Sequence, residues 1–300
     1  MERIVDGILF EGKFLENAWD VRTWTKNGVM ERSARQVVEW REIGPAGPKP
    51  DWDDYLAQFI DDPEKLAQRI AEREQDILDK KAASLKKSAL RAKTTCRRII
   101  ITEGFDELLT LTYRENQTDR DLCKKHFKEW VRRMGRVIKG FRYCASFELQ
   151  KRGAMHVHIA THKLPEHVLY KGVKIKAWRL GTEVWRSIVG ADNGMCHVGG
   201  RTRFGTSRRT KMSLAKMASY VSKYITKDYE NAPDESNRYS RSNGIIVSKP
   251  EVMRFTDCSL RDLIELTFEL SPGDILISHR VGRFKDSMWL CTEKPIKKAP

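Results

Sequence analysis

Two histidines and one glutamate are the first residues of this sequence whose spacing suggests chemistry. Within Phe147–Ile159, His156 and His158 are separated by one residue, and Glu148 precedes His156 by eight positions. Alternate side chains of a β-strand share a face, so the two histidines would project from one side, about 7 Å apart at the backbone. The segment Lys151–Gly153 predicts a hairpin turn that brings Glu148 back beside them. Together they predict a site for a divalent cation acting on a phosphate.

Simpler interpretations of the histidines and cysteines stay open at this point. Histidines on half-buried strands often serve only the core or the surface. The adjacent Cys196 and His197 invite a zinc hypothesis, but neighbours on a strand face opposite ways and no second Cys/His pair is near. The six cysteines include no CxxC pair, so we expect reduced thiols in a cytoplasmic protein.

A second group of reactive side chains lies in Met217–Lys227. Tyr220 and Tyr224 are four residues apart, and Lys223 and Lys227 each follow a tyrosine by three. On a helix all four lie within a stripe of about 100°. A phenol with its ordinary pKa of about 10 is a poor nucleophile, and a nearby ammonium favours the phenolate and stabilises charge on a phosphate. The alternative is a helix with two half-buried rings and lysines that reach for water.

The charge of the chain indicates its partners. The formal net charge is +15 and the isoelectric point is near 9.6, which favours nucleic acid or an anionic membrane surface. No run of about 18 apolar residues and no basic-then-apolar leader occurs, so we expect no membrane partner and take nucleic acid as the default. The segment 201–216 contains no acidic residue and predicts a loop over a phosphate backbone. The predicted DNA-binding residues are Arg201, Arg203, Arg208, Arg209, Lys211 and Lys227.

Alternating strand and helix patterns surround these residues. Period-two and β-branched segments predict strands, and apolar stripes with capping residues predict helices. The order strand, helix, strand, strand, helix, strand predicts an α+β fold, with a central antiparallel sheet flanked by helices. The predicted strands are Leu108–Tyr113, Tyr143–Leu149, Ala154–His162 and Met195–Gly199, and the predicted helices are 119–137, 176–189 and 213–228.

Three domains are expected from the changes in composition. Residues 1–93 form an N-terminal extension that includes a Gly/Pro linker at 44–50 and a long basic helix from Pro63 to about Lys93. Residues 94–230 contain the candidate chemistry. Residues 231–300 form a C-terminal extension whose role the sequence leaves unread.

Taken together, the motifs resemble the HUH endonucleases, and specifically two-tyrosine initiators of rolling-circle replication. The strand at Leu108–Tyr113 resembles the first motif of that family, Glu148 with His156-Val157-His158 the metal motif, and Tyr220-Val221-Ser222-Lys223-Tyr224 the nucleophile motif. All three occur in the family's order over about residues 94–228. The likeness is greatest to the gene A type initiators of small single-stranded DNA phages and to plasmid Rep proteins.

The resemblance implies an HUH, RRM-like nuclease fold and a role for each motif residue. Glu148, His156 and His158 would hold Mg²⁺ or Mn²⁺, Tyr220 and Tyr224 would be the nucleophiles, and Lys223 would assist. The substrate would be single-stranded DNA at a replication origin in the cytoplasm of a bacterial host. No GxxxxGK[ST] motif occurs, so a host helicase is expected to unwind the DNA, beside a host polymerase.

Two other interpretations remain open. A relaxase or a single-strand transposase uses the same chemistry, although such transposases usually carry one tyrosine. A module that binds nucleic acid without catalysis would use the basic segment and keep the histidines as structural residues.

Overall fold

The structure is a computed structural model that describes residues 1–48, 51–202, 205–207, 212–227 and 237–295. The chain divides into two compact units. The first contains Met1–Thr25, Met30–Ser84 and Lys249–Pro300, and the second contains Lys26–Val29 and Leu85–Ser248. The domain boundaries predicted at residues 93 and 230 stay a prediction, because a division into compact units does not test a division into domains.

Six helices are found within the described residues. They are α1 (Trp52–Ala57), α2 (Pro63–Glu103), α3 (Arg120–Val137), α4 (Ala177–Val189), α5 (Leu214–Lys227) and α6 (Leu260–Glu269). Among the same residues, none of them has both the length and the apolar character needed to cross a bilayer.

The described part of the chain also contains fifteen strands. They are β1 (Glu2–Val5), β2 (Ile8–Lys26), β3 (Val29–Pro45), β4 (Glu107–Tyr113), β5 (Tyr143–Leu149), β6 (Met155–Thr161), β7 (His167–Tyr170), β8 (Val173–Lys176), β9 (Gly194–Val198), β10 (Gly200–Thr202), β11 (Gly205–Ser207), β12 (Tyr239–Arg241), β13 (Glu251–Phe255), β14 (Ile275–Val281) and β15 (Ser287–Glu293).

The second unit is built on a five-stranded sheet in the order β12-β5-β6-β4-β9. Every neighbouring pair in it is antiparallel, which confirms the predicted α+β class with a central antiparallel sheet. In β4, Leu109, Leu111 and Tyr113 are fully buried, whereas Thr110 and Thr112 are half-buried. This alternation gives the sheet an apolar face and a polar face.

The apolar face packs against α3 and α4. The side chain of Asp119 caps α3 by accepting from the backbone N–H groups of Asp121 and Leu122, which fixes the first turn where the sequence predicts it. Phe127, Trp130 and Met134 of α3 are then buried in the core with residues of β4, β5 and β6. Because this core covers one face of the sheet, the candidate site lies on the other face.

The structure differs from the predicted elements in three places. The helix predicted to end near Lys93 continues to Glu103, since its apolar segment Ile99–Ile101 is buried as helix rather than as strand. The hairpin of β7 and β8 lies between a predicted strand and a predicted helix, where the sequence predicts no element, because its two short strands are mostly exposed and lack a clear apolar alternation. The predicted loop at 201–216 contains a short hairpin, β10 with β11.

The first unit has a sheet of its own. Its strands follow the order β1-β2-β3-β15-β14, and β13 pairs with β2. Trp19 and Leu263 meet in its core, where α6 begins at a capping box formed by Ser259 and Asp262. Apolar residues of the C-terminal segment, at 263–268, 275–277 and 288–290, fall in α6, β14 and β15.

A close contact between α4 and β9 holds the edge of the central sheet. A Cβ atom at Gly181 would lie 2.9 Å from Sγ of Cys196, and the indole N–H of Trp130 donates to the Gly181 carbonyl at 3.0 Å. No side chain fits between helix and strand, so glycine is required at this position.

We expect Gly181→Ala to lower the free energy of unfolding by about 1–3 kcal/mol, because the added methyl overpacks the contact with Cys196. Adding Cys196→Ala should recover part of that loss. Urea denaturation of both single variants and the double variant measures the coupling. Gly135→Ala is the control, since its Cβ meets nothing within 4 Å and should leave stability unchanged or slightly raised. Equal losses at Gly181 and Gly135 would refute the close contact.

Candidate metal and tyrosine site

The hairpin of β5 and β6 places the glutamate beside the histidines as predicted. Glu148 lies directly opposite His156 in the register, and Ser146 lies opposite His158. The turn is made by residues 151–153, where Gly153 has a φ of +88°, a conformation that glycine adopts without strain. All these side chains lie on the polar face of the sheet.

The three predicted ligands form one cluster. One ligand atom from each of Glu148, His156 and His158 lies within 4.8 Å of the others, close to the span of about 4 Å across an ion with oxygen ligands at 2.0–2.1 Å. Nε2 of His158 and Oε2 of Glu148 are 2.9 Å apart and already bonded to each other. Within the described residues this is the one group of three or more such donors that is close enough to hold a metal.

Each histidine also has a polar neighbour at its other ring nitrogen. Nδ1 of His158 is 3.4 Å from Oγ1 of Thr110, and Nδ1 of His156 is 3.1 Å from Nε2 of Gln150. Neither Thr110 nor Gln150 was predicted from the sequence. The sequence signal that could have found them is the two-residue period of a strand. Gln150 follows Glu148 by two positions and Thr110 precedes Thr112 by two, so each pair is expected on one face. Such partners fix the ring orientation of a ligating histidine.

One of the two ring nitrogens of His156 is buried and unpaired within the described part of the chain. Its Nε2 is buried and has no hydrogen-bond partner among the described residues. When the Gln150 amide N–H donates to Nδ1 of His156, the ring proton is on Nε2. When the amide is reversed, its oxygen accepts from Nδ1–H, and the Nε2 lone pair is left for an ion. A buried polar atom without a partner is costly, so the residues present fit a divalent cation.

Burial and the neighbouring charges set the protonation states of the cluster. Burial lowers the pKa of His156 to about 4, with a further contribution from His158, and burial also lowers the pKa of His158. Burial alone would raise the pKa of Glu148, but hydrogen bonds from His158 and Lys227 outweigh it and lower that pKa below its ordinary value. Neutral histidines and a charged carboxylate are the states that bind a metal.

Helix α5 carries both tyrosines onto this cluster. Its buried residues Ala218, Val221 and Ile225 pack toward the sheet, and α5 contacts β5 and β6. The hydroxyl of Ser146 donates to the Val221 carbonyl at 2.6 Å, which ties the middle of α5 to β5. Ser146 was missed from the sequence because a buried serine in an apolar strand carries no distinguishing pattern.

The tyrosine rings contact the ring of His158. Tyr224 stacks on it with centroids 3.9 Å apart and planes 10° apart, and Tyr220 meets it edge-on at 5.6 Å. Tyr224 is 6% exposed, and burial together with its hydrogen bond to Tyr220 raises its pKa well above the ordinary value. Tyr224 is therefore a protonated phenol here, whereas the sequence predicted that nearby lysines favour the phenolate.

The two lysines of α5 differ in what they contact. Nζ of Lys223 lies over both tyrosine rings, 4.2 Å from the centroid of Tyr220 and 4.8 Å from that of Tyr224. Lys227 instead pairs with Oε1 of Glu148. Both oxygens of Glu148 are thus occupied, one by His158 and one by Lys227. The prediction that Lys227 binds DNA stays a prediction, and its observed partner is the carboxylate.

Most of the predicted DNA-binding residues cannot be placed. Arg203, Arg208, Arg209 and Lys211 lie outside the described residues, and for Arg201 the structure describes only a backbone position in β10. Their role in DNA binding stays a prediction.

The zinc alternative finds no support in the described residues. Cys196 is buried against Gly181 on the apolar face, while His197 lies on the opposite face of β9. The six cysteines are free thiols, as expected.

The fold and site together define a class: an α+β unit whose antiparallel sheet carries a Glu-His-His cluster beneath a two-tyrosine helix. Residues 106–229, less than half of the chain, match the model of a family described as replication-associated protein ORF2. The match supports a Rep-type replication initiator, with a role in DNA replication and with DNA as its partner. No curated protein and no solved structure matches the chain.

Lys227 occupies a carboxylate oxygen that a bound cation would need. We expect Lys227→Met to bind Mn²⁺ about two- to tenfold more tightly at neutral pH, because an ion pair with a half-exposed lysine no longer competes. Isothermal titration calorimetry measures the affinity.

The matched control is Lys223→Met, which removes the same charge from the same helix without touching Glu148. If both variants gained affinity equally, general repulsion rather than competition for Glu148 would explain the effect. His156→Ala should lose Mn²⁺ binding in the same assay.

Proposed function

We propose that this chain nicks single-stranded DNA at a replication origin through a 5′-phosphotyrosine link and later rejoins the ends, as in rolling-circle replication. One observation carries the proposal: Tyr220 and Tyr224 both contact the ring of His158, inside the cluster that fits a divalent cation. The similarity of residues 106–229 to replication-associated proteins supports the same activity.

Glu148, His156 and His158 would hold Mg²⁺ or Mn²⁺. When bound, the ion would supply Lewis-acid polarisation of the scissile phosphate and offset the charge that develops on it. Gln150 and Thr110 orient the two histidines through their Nδ1 atoms. The protein thus contributes a fixed set of ligands on a rigid sheet, where a precise geometry is best maintained.

In the proposed nicking step the phenol oxygen of one tyrosine attacks phosphorus. The new bond is tyrosine O–P, the broken bond is P–O3′, and the leaving 3′ oxygen gains one proton as the phenol loses one. The phosphodiester energy is kept in the phosphotyrosine, so a free 3′-hydroxyl reverses the step and regenerates the tyrosine. Two tyrosines on one face allow one to hold a DNA end while the other cuts again.

The different exposure of the two rings assigns different parts to the tyrosines. Tyr220 is half-buried and Tyr224 is almost fully buried on His158, so we infer that Tyr220 is the first nucleophile. The ammonium of Lys223, close to both rings, would stabilise phenolate or phosphate charge in either step.

The test is a covalent adduct. Single-stranded DNA from the origin region of the replicon that encodes the chain is mixed with the full chain and Mn²⁺, and a labelled band that survives denaturation is measured. We expect Tyr224→Phe to keep an adduct at Tyr220, because phenylalanine preserves the stacking on His158. The double variant Tyr220→Phe/Tyr224→Phe should form none.

His156→Ala separates catalysis from binding in the same assay. The adduct should fall about 100-fold or more through loss of a ligand, while salt-sensitive DNA binding is kept. An adduct formed by the double tyrosine variant, or none formed by the wild-type chain with Mn²⁺, would sink the proposal. Loss of DNA binding in His156→Ala would instead indicate a structural histidine, as in a module that only binds nucleic acid.

A further inference from the structure

A groove of about 810 Å³ opens beside the edge strand β9, away from the tyrosines. It lies between the start of α4, the segment 163–166 and β9. Its wall contains a tryptophan, a methionine and a histidine together with two lysines and one glutamate. These residues are Trp178, Met195, His197, Lys163, Lys176 and Glu166.

The register connects this groove to the metal cluster. Met195 pairs with Thr112, which pairs with His156, and His197 pairs with Thr110, which pairs with His158. Residues in one cross-strand row share a face, so Met195 and His197 extend the polar face of the sheet to its edge, while Cys196, which lies on the apolar face, lines the groove on the side of α4. Two strand spacings separate β9 from β6, which is about 10 Å.

The polar face between the cluster and the groove is only partly covered by helix. Helix α5 packs on β5 and β6, and on the β4 and β9 half Thr110 and Thr112 are half-buried while Met195 is 46% exposed. A single strand of DNA bound at the cluster could therefore extend along this half of the sheet to the groove.

Trp178 is the unusual residue of the groove. Helix α4 buries Leu180, Val184 and Trp185 in the core, yet Trp178 in its first turn is 45% exposed. Within the described part of the chain its indole makes no hydrogen bond and no ring contact. Large aromatic side chains usually bury most of their area, so an exposed indole in a groove indicates a ligand with a flat face.

The groove also carries the charge that a nucleic acid requires. Lys163 and Lys176 are exposed at its rim, against the single carboxylate of Glu166. An aromatic face beside cations is the combination that binds single strands, with the base on the ring and the phosphates on the lysines. A nucleotide combines both features in one repeating unit, a flat base for the indole and a phosphate for a lysine.

We propose that this groove binds an unpaired base of the DNA strand, a few nucleotides from the phosphate held at Glu148, His156 and His158. The base stacks on Trp178 beside Met195, and Lys163 and Lys176 contact the flanking phosphates. This proposal rests on the proposed function, because it takes the bound strand to cross the polar face of the sheet. The groove then sets the position of the strand relative to the tyrosines.

Fluorescence anisotropy of the full chain in EDTA tests the proposal without cleavage. The probe is a labelled oligothymidylate of about 16 nucleotides, compared with an abasic strand of the same length and charge. Trp178→Ala should weaken binding of the oligothymidylate about 5- to 150-fold, the range expected from losing one stacked base. Its effect on the abasic strand should be within about twofold.

Three further variants make the result specific. Trp178→Phe keeps a ring and should recover most of the lost affinity, whereas Lys163→Gln/Lys176→Gln should weaken both probes alike. Phe284→Ala removes an 83% exposed ring elsewhere and should change neither. Thermal unfolding of Trp178→Ala is expected to match the wild-type chain, because the indole lies outside the core.

Two outcomes would overturn the proposal: unchanged oligothymidylate binding by Trp178→Ala, or an equal loss on both probes. The second would mean that the groove reads only backbone charge or binds another class of partner. Neither outcome depends on nicking. Failure of the covalent adduct assay alone would refute the proposed function. Unchanged oligothymidylate binding by Trp178→Ala, in a chain that still forms the adduct, would refute only the proposal that the groove binds a base.

Discussion

The carboxylate of Glu148 connects the two halves of the site. Its Oε2 bonds to His158, one register row away on β6, and its Oε1 pairs with Lys227 at the end of α5. A buried carboxylate is expensive without partners, and here both oxygens have one. The same group therefore fixes the ring of His158, anchors the last turn of the tyrosine helix and belongs to the cluster that fits a divalent cation. A divalent cation would have to replace the lysine charge that the site already contains.

Burial then decides which chemistry the site can support. The histidines are neutral because charging them inside the sheet is unfavourable, and Tyr224 stays protonated for the same reason. In the proposed nicking step, a phenol that is held protonated would need the field of a cation to react at neutral pH, so the proposed roles of the tyrosines and the metal would depend on each other. Lys223, over both rings, and Lys227, on the carboxylate, contribute positive charge at two separate points of this arrangement.

The two halves of the polar face of the sheet differ in what covers them. Helix α5 packs on β5 and β6 and covers the cluster with the tyrosines, held by the hydrogen bond from Ser146 to the Val221 carbonyl. The β4 and β9 half leads through Thr110 and Thr112 to the groove at Trp178. The tight packing at Gly181 holds β9 against α4, so the edge strand that lines the groove is also a well-packed strand. A rigid edge is what the proposed groove would need in order to hold a DNA strand in a fixed position.

The sequence by itself determined the local parts of this site. The histidines and Glu148 were predictable because a two-residue period and a Gly-containing turn place them together over only eleven residues, and Tyr220 with Lys223 because a helical period does the same. The Asp119 cap and α3 were predictable for the same local reason. The tertiary structure alone decided which hydroxyl or amide orients each histidine, that Lys227 pairs with Glu148 79 residues earlier, and that Tyr224 rather than Tyr220 is buried on His158. Such choices depend on how α5 packs on the sheet and on the resulting desolvation, and packing between distant segments leaves no periodic pattern in the chain.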